Sequence, residues 1–517
     1  MNLFKLSILS ITILLSSNAV NSQFGIQLST DETSEGFALF ETLFSSFLVD
    51  NCGEVVNTWP TVRGTVLHAK LLENGDIIYI QDNRVIVKDW DDNLVSQTSY
   101  DNPNLVLVYE VIVMSNGHYL CLARENLDVD DFIELGYTYA TGNNPRRIDV
   151  VIEIDPDTET IVWQWNIKDH MLQQRDDNLA NYGIASENPR KMDMDAIAQF
   201  DWISGESFMI NGFDYNEELD LLALSVRKMS EVIIIDHSTT TEEASGSTGG
   251  NYGHGGDILF RWGNPQNYGQ GDQEDQELYF QHNPNWVEYG EHKGKIIIFN
   301  NRFSKFDYSS VEIIDPSLDA NGQFVLPDNE EFQLAEEHIS MNIENSTGPF
   351  FYSEYTSGAS VMPNGNIYVT LGQSGRILEM NPEGKLVWDY LIEDSGYIFR
   401  SEKYGPDFPG FEGRDLTPNG TVESIPSPFD CSFTTSTNDI NVILEDVNII
   451  RNTQGYKVIS DSGRSFNISL YNTNGQLLYK GDSNSNYRID TSTIPGGLYY
   501  IRTERDNQGS TQSIFVD

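Results

Sequence analysis

The chain has 517 residues, with 78 Asp and Glu against 31 Lys and Arg, giving a formal net charge of −47. So acidic a surface repels polyanions, which excludes nucleic acid and anionic membranes as partners. Three cysteines (Cys52, Cys121, Cys431) are too few for a disulfide framework; one pair is the most they allow, with Cys52–Cys121 as one option.

In chain order, residues 1–22, MNLFKLSILSITILLSSNAVNS, show a lysine, an apolar run and then small residues. That is the pattern of a secretory signal peptide. No later stretch approaches the ~18 apolar residues of a transmembrane helix, so an exported protein with no transmembrane segment is expected.

Residues 23–398 have little helical periodicity and many short strand-like runs. A degenerate repeat organises them. Its first part is a hairpin around Asn-Gly: KLLENGDIIYI (70–80), IVMSNGHYLCL (112–122) and SVMPNGNIYVT (360–370). Asn-Gly is expected to supply the positive φ angles of a tight turn. The second part is a strand, an Asp/Asn turn and a strand ending near Trp: VIVKDWDDNLVSQ (85–97), VIEIDPDTETIVWQW (151–165) and ILEMNPEGKLVWDY (377–390). VIIIDHSTT (232–240) resumes at DILFRWGN (257–264), and SSVEIIDPSLDANGQFVL (309–326) reads as a further copy. Recurring four-stranded units predict an all-β fold, a six-bladed β-propeller closed by N- and C-terminal strands; a long sandwich or solenoid is the alternative.

Residues 399–440, rich in Gly, Pro, Ser and Thr, read as a linker. Residues 441–517 carry short apolar strands between NG and GG turns and predict a small C-terminal β-sandwich of about seven strands. SLYNTNGQLLY, IDTSTIPGGLYYIRT and the terminal strand make this tail similar to the C-terminal sorting domain of type IX secretion substrates. The resemblance implies a partnership with the type IX machinery and a secreted or cell-surface location.

A second resemblance covers about residues 35–395. FLVDNCGEVVNTWP (47–60), IVWQWNIKDHMLQQRDDNLANYG (161–183), NGFDYNEELDLLALSVRKMSEVIIIDHSTT (211–240), GDILFRWGNPQNYGQGDQEDQELYFQHNPNW (256–286) and IIIFNNRFSKFDYSSVEI (296–313) resemble the aryl-sulfate sulfotransferases. That family consists of six-bladed propellers that move a sulfuryl group from an aryl sulfate to a phenol. The resemblance implies small phenolic molecules or aryl sulfates as ligands, a histidine that takes the group, and no nucleotide donor. Histidine suits the task because its neutral ring is nucleophilic near pH 7. Basic and amide side chains must balance the sulfuryl oxygens.

Carried onto this chain, the resemblance assigns His282 in QHNPNW, Arg227, Asn301 and Lys305 as catalytic. Met209, Tyr109, Trp202, Arg302 and Arg376 are assigned to ligand binding. The chain departs from the family where histidines are usual: Tyr109 and Met209 stand at two such places, and Asn285 at a third. Methionine cannot ionise or hold a sulfuryl group, so the alternative is a catalytically impaired propeller that binds an aromatic ligand or a surface partner. His170 reads as structural, His237 and His254 as exposed, and His68, His118, His292 and His338 as lacking companions. No metal site and no cofactor are expected; acidic runs such as DWDDN (89–93) and GDQEDQE (271–277) read as solvated loops and leave Ca²⁺ only as an option.

Overall fold

A computed structural model describes residues 24–62, 66–136, 146–196, 208–302, 305–306, 308–316, 324, 339–341, 351–393 and 397–424, and the strands of the tail between 447 and 516. The chain divides into two compact units, one spanning Phe24–Asn438 and the other containing Asp439–Asp517.

The larger unit is a ring of six antiparallel sheets. Four follow one another directly: Ala69–Leu71 to Leu94–Thr98, Leu105–Val113 to Thr160–Asn166, Ile210–Asn216 to Phe260–Trp262, and His282–Trp286 to Ile339–Met341. The last blade holds Gly358–Val361, Ile367–Leu371, Arg376–Met380 and Leu386–Leu391, with the N-terminal strand Gly25–Ser29 added outside. The first blade takes its innermost strand, Ser401–Tyr404, from the far end of the unit and pairs it with Phe37–Glu41. Both ends of this unit therefore close the ring, which is the six-bladed propeller expected. Ser401–Tyr404 lies in the stretch read as linker. Its sequence SEKY shows no apolar alternation: Tyr404 packs into the core beside Phe408 and Phe411, while Glu402 pairs with His68 and Lys403 with Glu379.

The repeat motifs have clear structural causes. In the Asn-Gly hairpins only the glycine takes a positive φ, at 85° for Gly75, 87° for Gly117 and 88° for Gly365. The asparagine instead accepts a hydrogen bond from the backbone N–H two residues on, as Asn74 does from Asp76, Asn116 from His118 and Asn364 from Asn366. The turn is thus a three-residue loop with one left-handed glycine, not the two-residue turn with two positive φ angles that the motif suggests. The tryptophans that end the second hairpins reach the next blade. Trp59 Nε1 donates to Asp89 O, Trp165 Nε1 to Gly256 O, and Trp388 Nε1 to Asn51 O across the ring closure. Acidic runs supply caps: Asp89 Oδ1 accepts from the N–H groups of Asp91 and Asn93, and Asp128 caps the helix Val129–Glu134.

The smaller unit is a sandwich of a three-stranded and a four-stranded sheet, seven strands in all. Val458, Phe466, Ile468, Leu470, Ile489 and Ile501 form its core.

Cys52 is disulfide-bonded and Cys121 is a buried free thiol. A Cys52–Cys121 bridge is thereby ruled out: Cys121 lies in the third blade's second strand, Tyr119–Leu127, enclosed by apolar neighbours. Burial drives its thiol well above the usual range. Among the described residues, no helix is long and apolar enough to cross a membrane, and no cluster of His, Cys, Asp and Glu has a metal-holding arrangement.

Candidate functional site

Three innermost strands carry a bulge: Asn211-Gly212 and Asn283-Pro284 each stand opposite a single residue, and Tyr109-Glu110 are two residues with none opposite. A bulge breaks the two-residue alternation and re-aims side chains, here toward the ring axis. Tyr109, Met209 and Asn283 take φ values of 65°, 61° and 58°, uncommon for residues other than glycine. Gly212 must lack a side chain, since a Cβ there would lie 2.8 Å from Arg400 Nη2.

Below the bulges lies a buried charge cluster. Glu110 receives Arg400 Nη1 on both oxygens at 2.9 and 2.8 Å, and Lys70 Nζ stands 3.6 Å away. His68 Nε2 lies 2.9 Å from Glu402 and its Nδ1 3.7 Å from Glu110. Burial raises the Glu110 carboxyl, but Arg400, Lys70 and His68 overcome it and hold the group at about 2. Asp214 is different: burial lifts it to about 7 against the opposing effects of Lys70 and the Trp286 N–H. A small polar cleft lined by Asn283, Asn285, Ser360, Tyr368, Ser401 and Glu402 adjoins this cluster. His68 therefore has companions, contrary to the sequence expectation, because the ring closure brings Glu402 beside it from residues distant in the chain.

His282 is 4 % exposed, and both ring nitrogens are engaged. Asn301 Nδ2 donates to the carbonyls of Ser353 and Thr356 at 2.8 and 3.0 Å, which fixes the amide's orientation. Its Oδ1 then faces His282 Nδ1 at 2.7 Å, so Nδ1 carries the hydrogen. Nε2 keeps its lone pair and accepts the Thr356 N–H at 3.1 Å. Burial and the nearby Arg227 charge hold the ring well below the usual histidine range, so it is neutral.

Arg227, whose charge acts on His282, begins a linked set of aromatic and guanidinium groups. Arg227 lies 4.9 Å over the Phe280 ring, with Nη1 3.7 Å from Met209 Sδ. Arg124 Nη2 donates to Tyr109 Oη at 2.6 Å, and the Tyr109 ring stacks on Phe399 at 5.1 Å and 8°. Asp149 connects the two halves, lying 3.5 Å from Arg124 Nε and accepting the Met209 N–H at 2.8 Å.

Of the residues assigned from sequence, His282, Asn301, Arg227 and Met209 thus gather in one place, and Tyr109 joins them through Arg124 and Asp149. Lys305 Nζ sits 5.7 Å over the Tyr279 ring. Arg302 is occupied by Ser310 and Glu312, at 2.7 and 3.3 Å, and Arg376 by Asp389. Trp202 and His338 lie outside the described residues. Sequence reading missed Arg124, Glu110, Lys70, Arg400 and Glu402; the one legible signal was charge inside otherwise apolar strands such as VLVYEVIV.

Against this geometry stands one decisive match: the arylsulfotransferase (ASST) family covers residues 26–389. The chain belongs to the arylsulfotransferase family. The match takes in strands from all six blades and stops short of the closing strand Ser401–Tyr404. Residues 426–517 match the secretion system C-terminal sorting domain, a type IX signal that directs chains to the cell surface or the extracellular space. No curated protein matches the chain.

Solved structures similar to this arylsulfotransferase-family chain are remote. A protein of unknown function from Bacteroides caccae shares 9 % identity at a TM-score of 0.39, covering 71 % of this chain and 98 % of its own. Virginiamycin B lyase from Staphylococcus aureus shares 9 % at 0.33, covering 74 % and 87 %. A streptogramin B lyase shares 12 % at 0.32, covering 72 % and 84 %.

His170, His237 and His118 are engaged elsewhere. His170 is buried between Asp257 at 2.7 Å and the Ala244 carbonyl at 2.7 Å. His237, expected to be exposed, is 7 % exposed and bridges Asp220 at 2.7 Å and Glu153 at 3.4 Å. His118 joins the same Glu153 at 2.5 Å. His237 ends a strand in sequence, but the neighbouring blade covers it.

Proposed function

We infer that the propeller binds an aryl sulfate at its aromatic rim and transfers the sulfuryl group to a phenol through His282. The observation that carries this reading is the fixed tautomer. Asn301 holds the hydrogen on Nδ1, leaving the Nε2 lone pair on a ring kept neutral by burial and Arg227, as a nucleophile at neutral pH requires. In the first half-reaction Nε2 attacks sulfur, an N–S bond forms, and the S–O(aryl) bond breaks with its electron pair leaving on the phenolate. A second phenol then attacks sulfur, forming an S–O bond as the N–S bond breaks with its electron pair returning to Nε2, and the acceptor's proton passes through solvent to the phenolate released first. Arg227 offers positive charge to the sulfuryl oxygens, and Asn301 acts as a positioning residue. Lys305 is proposed to assist in balancing the sulfuryl charge, and the acidic loops are proposed as a place for Ca²⁺.

A second reading, an impaired propeller that binds an aromatic ligand without transfer, is favoured by one observation. The Thr356 N–H occupies the lone pair that would attack. Residues 1–22 are proposed to start export as a signal peptide, followed by the type IX route.

The test is nitrophenolate release from 4-nitrophenyl sulfate by purified protein, with and without added phenol, beside His282→Ala. Phenol-dependent release lost in the variant is expected. Equal background release in both would leave the binding reading.

A further inference from the structure

We propose that the segment Ser353–Ser357 is a cap closing His282 in the resting protein, and that an aromatic ring docking on Tyr355 and Tyr397 lifts it; this regulation rests on the sulfuryl-transfer reading. The imidazole is neutral and correctly protonated for attack, yet its Nε2 lies under the Thr356 N–H at 3.1 Å. Sulfur cannot reach that lone pair until the segment moves.

The cap is tied down at several points. Asn301 Nδ2 holds the carbonyls of Ser353 and Thr356. Ser353 Oγ donates to Tyr355 O at 2.9 Å and accepts the Gln373 N–H at 3.2 Å. Gln373 Oε1 accepts the Glu354 N–H at 3.0 Å, and the Ser357 N–H donates to Phe399 O at 3.0 Å. These bonds hold a conformation that the chain resists: Thr356 and Ser357 are consecutive non-glycine residues at φ 58° and 87°. Such backbone persists only where its surroundings over-determine it, and it concentrates at switch segments.

The trigger sits on the cap itself. Tyr355 and Tyr397 are 41 % and 43 % exposed, with ring centroids 6.0 Å apart at 37°, an open angle between two large rings left in solvent. A third ring entering there displaces Tyr355, whose backbone continues directly into Thr356. Lifting Thr356 gives up its N–H bond to the imidazole and the Asn301 bond to its carbonyl, a cost that the contact of the docked ring and the relieved backbone strain at Thr356 and Ser357 offset.

The test reads His282 directly, without relying on turnover. Acylation by diethyl pyrocarbonate at neutral pH, mapped by mass spectrometry, should be about tenfold slower at His282 than at the part-exposed His118. Ser353→Ala and Gln373→Ala each remove tethers and should raise the His282 rate several-fold. His170, fully buried in another blade, reports general loosening and should stay unreactive. An unchanged His282 rate in both variants, or an equal rise at His170, overturns the cap. In the ligand arm, saturating phenol should speed hydrogen exchange at the Thr356 amide; slowed or unchanged exchange with phenol bound by calorimetry overturns the trigger. Absence of phenol binding overturns the trigger and the transferase reading together, whereas the two cap variants judge the cap by itself.

Discussion

His282 and Asn301 share a hydrogen bond of 2.7 Å, and the direction of that bond is dictated by two further bonds on the opposite side of the asparagine amide. The consequence is chemical. A side chain that never ionises decides which nitrogen of a buried imidazole is free to react.

Replacing that amide by a carboxylate reverses the electrostatics. In Asn301→Asp the ring faces a negative charge, so His282 should titrate well above its present depressed value. Nitrogen-15 NMR of the ring across pH 4–8 checks this; a His282 that stays neutral throughout would sink the assignment. Asn301→Leu should cost about 1–3 kcal/mol of stability by leaving the buried Nδ1–H without an acceptor.

Glu110 anchors the axial cluster, and its loss takes from Arg400 its two-oxygen partner and from Lys70 its nearest carboxylate, leaving Glu402 and Asp214 to balance both cations. Glu110→Gln should destabilise the propeller by about 3–5 kcal/mol, read from denaturant unfolding. The double variant Glu110→Leu with Arg400→Met should recover part of this loss. No difference between the single and double variants would show that the pair is not coupled.

His237 makes stability fall on the alkaline side. Burial lowers its affinity for a proton, but Asp220 and Glu153 outweigh burial and raise the group to about 9. The unfolded chain titrates near ~6.5. Stabilisation is therefore complete below that pH and fades as pH rises through about 9, by up to about 3 kcal/mol. Unfolding free energies between pH 6 and 10 should show this decline in the natural protein, and His237→Gln should flatten it.

Thiol accounting is simple to check. Denatured but unreduced protein should be alkylated at Cys121 and not at Cys52, which should label only after reduction. Labelling of Cys52 without reductant would contradict its disulfide.

Fold class was legible because it depends on local pattern. Alternating apolar residues, a glycine able to take a positive φ and an asparagine able to cap the turn specify a hairpin wherever they occur, as at Asn74-Gly75 and Asn116-Gly117. Tryptophans at hairpin ends marked the blade edges for a reason that the indole bonds of Trp59 and Trp388 make plain. His282, Asn301 and Arg227 were found by likeness to a family, and they do meet.

Charge pairing belonged to the tertiary structure alone. Nothing local distinguishes Arg376, held by Asp389, from Arg227 at the rim, or marks SEKY as the strand that closes the ring. Glu110 and Arg400 are 290 residues apart in the chain and within hydrogen-bond reach at the axis. Ion pairing depends on distance in space, so only closure of the six blades determined which charges neutralise one another and which surround the buried imidazole.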